Sequence, residues 1–471
     1  MSAPYAGRIH AYLTFILSRF FGGVNVFTVR FTPIAVSAIT LVFIYLLCKM
    51  WFNYRIAIIT ALLTAINLHF VQYARVGHYR EEVFILFFFW AGLFLLAKYL
   101  LKKKFYFLFL SFFLFGVGLS TKITILYYFI GLPVVFLLLD KEFRLFSGLN
   151  LKCIFFALIS FALGAFNMIL LNVLHRGKSF NFLLNTLGHL TTARYNNLFY
   201  FRNLRERTGQ LIELLKGNVA EKLEWGVTQS CSIEYLQPVI LSLFFIALIS
   251  VFLYAIFLKN KHEKYKIIFF FILYTIVFLL TPFVPVGQQQ GHLLVLFPFP
   301  QLIIALLLNY IWAVLKNKNI AFFVLFLFLT PFLLHNILMN VHFYKEIRRN
   351  GGYGRWSTAI YELSNYLKNE KIYAPVTFGF GLKENISFLT QYRVVPNQLE
   401  ENHSLENIKD EYSILSLKKE PIYFLTKNSE DYLPNLNLFM DLARNDGRNK
   451  VLYKVFYNRA GEPVYWIYEI K

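Results

Sequence analysis

Long apolar runs recur along this chain, separated by short connections in which lysines gather, and that alternation dictates a bundle of membrane-crossing helices. A helix needs about 20 mostly apolar residues to span a bilayer. About ten segments approach that length: 31–47, 57–71, 83–101, 105–119, 123–139, 153–174, 238–258, 267–280, 293–315 and 320–339. The 471 residues are 57% hydrophobic and only 15% charged, a balance foreign to soluble domains of this size. The fold class expected is a polytopic α-helical membrane protein.

The formal net charge of +21 invites a nucleic-acid reading, but its distribution points elsewhere. Lys49 and Arg55 share one connection; Lys98 and Lys102 to Lys104 flank the next. Lys141, Arg144 and Lys152 occupy a third, Lys259, Lys261, Lys264 and Lys266 a fourth, and Lys316 and Lys318 a fifth. Positive sets at every second connection are the positive-inside pattern, so these charges orient the chain and meet anionic headgroups. Nucleic acid is excluded as a partner on this ground. Cys48 and Cys153 fall at inner helix ends and Cys231 lies alone in an outer loop. Neither a disulfide framework nor a zinc-binding spacing is expected.

With the lysines inside, the connections 72–82, 120–122, 175–237 and 281–292 face outward, as does everything after about residue 341. The amino terminus falls outside as well, which leads us to expect a preceding helix and loop upstream of Met1. Residues 1–30 then form an outer segment whose stretch 9–21 is a short amphipathic helix at the membrane surface. The bundle occupies 31–340. In the large outer loop, residues 202–222 make an amphipathic helix with Leu204, Leu211, Leu214 and Leu215 on one side, packing over the bundle or closing a path into it. From about residue 341 a small extracytoplasmic α/β domain is expected. Helices are predicted at 353–369, 382–392, 406–415 and 433–444, with strands at 372–378 and 422–426. A hairpin, 451–457 with 464–470, turns around Asn458, Gly461 and Pro463.

Polar side chains at the rim of a bilayer are expensive, so they default to functional candidates. Three outward connections concentrate them. The first is Tyr73-Ala74-Arg75-Val76-Gly77-His78-Tyr79-Arg80-Glu81-Glu82. The second is Gly116 to Lys122, where a cation ends an apolar helix on the side poor in lysine. The third, Gly287-Gln288-Gln289-Gln290-Gly291-His292, precedes Pro298 and Pro300. Arg75, Arg80, Lys122 and His292 are candidates to bind a phosphate and stabilise it as a leaving group. Glu81 and Glu82 are candidate catalytic acids, able to deprotonate an incoming hydroxyl or hold a divalent cation. His78, Tyr79, Gln289 and Gln290 offer hydrogen bonds to a hydroxyl-rich substrate. The plain alternatives are that the arginines snorkel to headgroups, the glutamates merely begin a helix, and Lys122 anchors at the interface.

The ordered set His10-Ala11-Tyr12-Leu13, Phe20 to Phe31, Tyr73-Ala74-Arg75 and Gly118-Leu119-Ser120-Thr121-Lys122 resembles the GT-C glycosyltransferases of family 39. That grouping contains protein O-mannosyltransferases and lipid A aminoarabinose transferases, and the resemblance spans roughly residues 5–300. It implies inverting transfer of a sugar from a polyprenyl-phosphate donor to a lipid, glycan or protein acceptor at the extracytoplasmic face of the plasma membrane. By the same resemblance Arg75 and Lys122 stand at basic positions near the lipid phosphate, one of Glu81 and Glu82 at a second acidic position, and His292 in a loop that helps form the donor site. No cofactor is called for with certainty; a divalent cation held by the acids is the one candidate, and whether a metal is needed stays open. The family's principal acid lies in a first outer loop, whereas no Asp or Glu precedes Glu81 here. A flippase of lipid-linked saccharides and a non-catalytic assembly subunit are the alternatives. The gathering of charge at one face disfavours the first, and the missing first-loop acid is what keeps the second open.

Overall fold

The computed structural model describes residues 9–76, 81–143, 151–177, 179, 181, 199–218, 234–283, 290–353, 357–378, 381–399, 405–417, 421–427 and 434–471. The chain divides into two compact units between Asn340 and Val341.

The first unit is a helical bundle. In chain order its helices are α1 (Ile9–Ser18), α2 (Val26–Trp51), α3 (Tyr54–Ile66), α4 (Leu68–Arg75), α5 (Glu82–Lys102), α6 (Phe105–Thr121), α7 (Leu126–Phe143), α8 (Leu151–Gly164) and α9 (Phe166–Leu174). There follow α10 (Tyr200–Leu215), α11 (Gln237–Phe257), α12 (Lys261–Leu280), α13 (Phe299–Val314) and α14 (Lys318–Asn350), with a buried 3-10 segment, Gln290–Leu296, before α13. Among the described residues five helices are long and apolar enough to cross a membrane, or up to eight if each of three bent helix pairs is one span. Phe105–Thr121 and Ile123–Leu139 are shorter apolar helices. The protein is thus a multi-pass integral membrane protein, and each of the ten predicted segments lies on helix.

Inside a bilayer no water satisfies a loose backbone group, so helix ends and breaks must be met by protein. At the start of α2, the Asn25 N–H donates to Thr28 Oγ1 (2.9 Å) and the Thr28 N–H to Asn25 Oδ1 (3.0 Å), a reciprocal cap. Lysines serve the opposite ends. Lys266 Nζ donates to the Trp51 carbonyl at 2.7 Å, and Lys318 Nζ to those of Trp312 (2.7 Å) and Leu315 (3.0 Å). Lysines of two of the positive connections therefore meet helix carboxyl ends.

The segment 57–71, expected as one helix, is broken: α3 and α4 meet at 58°. Asn67 causes the break, its Oδ1 accepting from the N–H groups of His69 (3.0 Å) and Phe70 (3.3 Å). Two asparagines on α14 meet what the break exposes: Asn336 Oδ1 accepts from the Leu68 N–H (3.3 Å) and Asn340 Nδ2 donates to the Ile66 carbonyl (2.8 Å). The segments 153–174 and 293–315 are likewise bent, by 70° and 43°. The surface helix expected to Phe21 stops at Ser18, before the positive-φ glycines Gly22 and Gly23. That expected over 202–222 runs Tyr200–Leu215 and ends before Gly217, at φ 72°.

α6 and α8 cross through small residues. Ser160 Oγ donates to the Phe109 carbonyl (2.6 Å) and Ser120 Oγ to that of Gly164 (3.1 Å). Such close approach of backbones is how helices associate where lipid removes the hydrophobic drive.

The second unit carries a five-stranded sheet in the order β2-β1-β3-β5-β4, formed by β1 (Val376–Phe378), β2 (Asn397–Leu399), β3 (Ile422–Lys427), β4 (Lys450–Tyr457) and β5 (Pro463–Ile470). β1 pairs in parallel with β2 and β3, while β5 runs antiparallel to β3 and β4. Ala359–Asn369 and Lys383–Leu389 pack on one face through Leu363, Leu367 and Ile386 against Leu425 and Ile467. Leu405–Ser416 and Pro434–Asn445 cover the other through Ile408, Tyr412 and Phe439 against Val376 and Phe424. The predicted hairpin forms. Asn458 Oδ1 accepts from the N–H groups of Ala460 (3.0 Å) and Glu462 (2.9 Å), and Gly461 takes φ 79°. β1 is shorter than the 372–378 expected, beginning after Pro375, which has no N–H to give a ladder. β2 was not anticipated: its three residues show no alternation.

A Cβ on Gly164 would lie 2.1 Å from the Phe113 carbonyl oxygen and 2.8 Å from the Val117 nitrogen. Gly164→Ala should therefore lower the melting temperature in detergent, by about 1–3 kcal/mol of overpacking, despite the better helix propensity of alanine. Gly209→Ala, on α10 with nothing within 4 Å, should raise it by up to about 1 kcal/mol. A Gly164→Ala protein as stable as the parent would mean that α6 and α8 do not touch there.

Candidate active site

α5 runs away from Glu82 to the lysine turn Lys102-Lys103-Lys104, and α6 returns from it to Lys122. This hairpin sets Glu82 and Lys122 side by side, about 30 Å from the lysines at 1.5 Å rise per residue. The segment Gln290–Leu296 and α13 end likewise toward Lys316 and Lys318, so His292 sits at the same end as Glu82.

Lys122 Nζ donates to Glu82 Oε1 at 2.7 Å and to Glu81 Oε2 at 3.1 Å. His292 Nδ1 lies 2.7 Å from the same Glu82 oxygen. Glu82 is fully buried and Lys122 is 4% exposed. Each group is placed by its backbone. Glu82 opens α5, where the helix dipole favours an acid. Lys122 leaves the helix, at φ −160° and ψ 140°, and its side chain turns across to α5. Gly118 makes room, since a Cβ there would meet Ile125 Cδ1 at 2.3 Å.

The His292 segment is pinned from two sides. Trp90 Nε1, on α5, donates to the Phe297 carbonyl at 3.1 Å, and the Tyr128 hydroxyl, on α7, donates to the Val295 carbonyl. Tyr128 is in turn stacked on Phe89, with centroids 3.6 Å apart. Thus the elements that supply Glu82 and follow Lys122 also hold the segment that supplies His292.

α10 brings a further cation. Arg207 is fully buried and donates from Nη1 to Gln210 Oε1 at 2.9 Å. Burial pulls its guanidinium below the usual value, opposed by its interactions with the nearby Tyr127, Glu206 and Glu82. α10 is docked by the Tyr200 hydroxyl on the Leu279 carbonyl (2.9 Å) and by Asn203 Nδ2 on that of Pro282 (3.4 Å). His10 of α1 lies within the electrostatic reach of Glu81 and Lys122.

Of the residues singled out from sequence, Glu81, Glu82, Lys122 and His292 come together. Arg75 ends α4, half-buried, on a helix that packs against Gln290–Leu296. Gln290 begins that segment, and its Oε1 is buried without a hydrogen-bond partner among the described residues. His78, Tyr79, Arg80 and Gln289 lie outside the described residues. Arg207 and Tyr127 were missed. Arg207 stands three residues after Leu204 and four before Leu211, within the leucine stripe, and a lone arginine there was the available signal. Among the described residues no group of three or more His, Cys, Asp or Glu gathers to hold a metal ion.

Paired, buried ions of this kind are costly to assemble and cluster at functional sites. Lys122→Met should leave the buried Glu82 uncompensated and cost about 3–5 kcal/mol, read as a lowered melting temperature in detergent. Adding Glu82→Gln should recover much of that loss; a double variant no more stable than the single one would mean that the pair is not coupled.

Residues 7–166 match the family described as dolichyl-phosphate-mannose-protein mannosyltransferase. No curated protein matches the chain by sequence. Among solved structures, ArnT from Cupriavidus metallidurans bound to undecaprenyl phosphate is similar with a TM-score of 0.59 and 11% identity, over 99% of this chain and 88% of that one. Apo ArnT gives 0.57 and 12%, over 98% and 88%. The apo oligosaccharyltransferase of Archaeoglobus fulgidus gives 0.50 and 11%, over 90% of this chain and 62% of that one. The chain thus matches the mannosyltransferase family over its amino-terminal third and has, over nearly its whole length, the fold of the GT-C membrane glycosyltransferases.

Proposed function

We propose that this protein is a membrane glycosyltransferase that moves a sugar from a polyprenyl-phosphate donor to a lipid, glycan or protein acceptor, at the membrane face opposite the lysine-rich connections. The observation that carries the reading is the buried constellation of Lys122, Glu82, Glu81 and His292, with Arg207 beside it, at one end of a GT-C bundle. That the ArnT relative binds undecaprenyl phosphate supports the choice of donor.

The chemistry asks for two things. As the bond from anomeric carbon to phosphate oxygen breaks, negative charge grows on the phosphate and needs fixed cations nearby. In this reading Lys122 and Arg207 supply them, with Arg75 at the end of α4 as a further cation. The incoming hydroxyl must also lose its proton, and the carboxylates and the imidazole are the groups able to take it. Attack from the side opposite the leaving phosphate inverts the anomeric centre. The domain after Val341 is extracytoplasmic in this reading, since Lys316 and Lys318 precede α14 on the inner side. Transport of a lipid-linked saccharide is less well supported, because the described ions gather at helix ends rather than midway along the helices.

Membranes containing the protein should transfer label from a polyprenyl-phosphate-linked mannose or aminoarabinose to an acceptor fraction. Arg207→Ala should weaken undecaprenyl phosphate binding about tenfold or more, the loss of a charge-assisted contact worth roughly 1.5–3 kcal/mol. Wild-type protein that neither binds undecaprenyl phosphate nor consumes any polyprenyl-linked sugar would overturn the reading.

A further inference from the structure

Glu82 is the obvious acid of the constellation, yet its surroundings suit it poorly to removing a proton. Its side chain is fully buried, and its Oε1 meets both Lys122 Nζ and His292 Nδ1 at 2.7 Å. A carboxylate that accepts from an ammonium and from a ring N–H has its negative charge already stabilised, and at full burial it offers no face to an incoming hydroxyl. The same contact has the opposite effect on the histidine. With Nδ1 carrying the proton given to Glu82, the neutral ring has its basic lone pair on Nε2, and the carboxylate stabilises the imidazolium that forms when Nε2 takes a proton. His292 is also the more accessible of the two, with a side chain 10% exposed against 0% for Glu82. Tyr128 and Trp90 hold the backbone three and five residues beyond this ring, which steadies its direction before substrate arrives.

Resting on the glycosyltransferase reading, we infer that His292 is the general base that deprotonates the acceptor hydroxyl, and that Glu82 is a positioning residue that fixes its tautomer. In the transfer step, the acceptor oxygen forms a bond to the anomeric carbon while its proton passes to His292 Nε2. The bond from that carbon to the donor phosphate oxygen breaks with its electron pair on the oxygen, releasing polyprenyl phosphate. The proton on His292 then leaves to water, restoring the neutral ring. Lys122 remains with the carboxylates and the departing phosphate.

The decisive variant is His292→Asn, whose side-chain amide can still donate to Glu82 but has no basic nitrogen. With polyprenyl-phosphate-linked mannose as donor, kcat should fall at least about 100-fold, the usual contribution of a general base. KM for the donor and the binding of undecaprenyl phosphate should change less than about threefold, the signature of an interaction made only in the transition state. Glu82→Gln should lower kcat by a smaller factor with the same unchanged donor KM, and it decides the matter if His292→Asn does not fold. Should His292→Asn keep its kcat, or should Glu81→Gln abolish turnover while His292→Asn does not, the base is elsewhere and only the glycosyltransferase reading survives. Wild-type protein that fails to bind undecaprenyl phosphate or to turn over any polyprenyl-linked sugar removes both.

Discussion

One carboxylate oxygen, Oε1 of Glu82, ties together parts of the chain that are far apart in sequence. Lys122 reaches it from the end of α6 and His292 from the segment before α13. In the low dielectric of a bundle rim, neither the acid nor the ammonium can be left alone without a penalty of several kcal/mol. The pairing therefore dictates where α5 begins, where α6 must stop, and which way the 3-10 segment faces. In the proposed function the same contact serves twice: the groups assigned the chemistry are also those that register these elements against one another.

The same logic extends outward through neutral groups. A 3-10 segment in apolar surroundings leaves carbonyls that an α-helix would have satisfied. Trp90 and Tyr128 take two of them, and both project from elements adjoining Glu82 and Lys122. The break at Asn67 follows the same rule, with α14 supplying Asn336 and Asn340. Irregular backbone at these two places is thus held by neighbouring helices: α14 holds the break before α4, and α5 and α7 hold the stretch that carries His292.

The bundle was legible in the sequence because hydropathy and lysine spacing are strong, local signals, and because backbone satisfaction forces apolar stretches into helices. Lys122, Glu82 and His292 stood out for a related reason, as ionisable residues where a membrane rim makes charge expensive. What stayed hidden depends on pairing over distance. Asn67 reads as an ordinary polar residue inside an apolar run until the asparagines of α14, some 270 residues later, are seen beside it. Arg207 was overlooked because leucines four and seven apart explain an amphipathic helix by themselves, and one arginine in their stripe looks like noise. Strand β2 was lost because three residues at a sheet edge, of which only Leu399 is buried, are too few to show a period.

Arg207 also changes how α10 should be understood. A helix that merely rests on a membrane surface turns its cations to water and headgroups. α10 turns one cation inward, at full burial, and spends two side-chain contacts, from Tyr200 and Asn203, on the end of α12. The cost of burying a guanidinium is met only where negative charge lies near, and here the acids of the site and Glu206 provide it. A ligand that brings its own negative charge would strengthen that balance, and one that displaced α10 would have to expose Arg207 again. Charge therefore ties this helix to the acid at the start of α5, and its two hydrogen bonds tie it to the end of α12, so it is part of the bundle's packing rather than a cover lying over it.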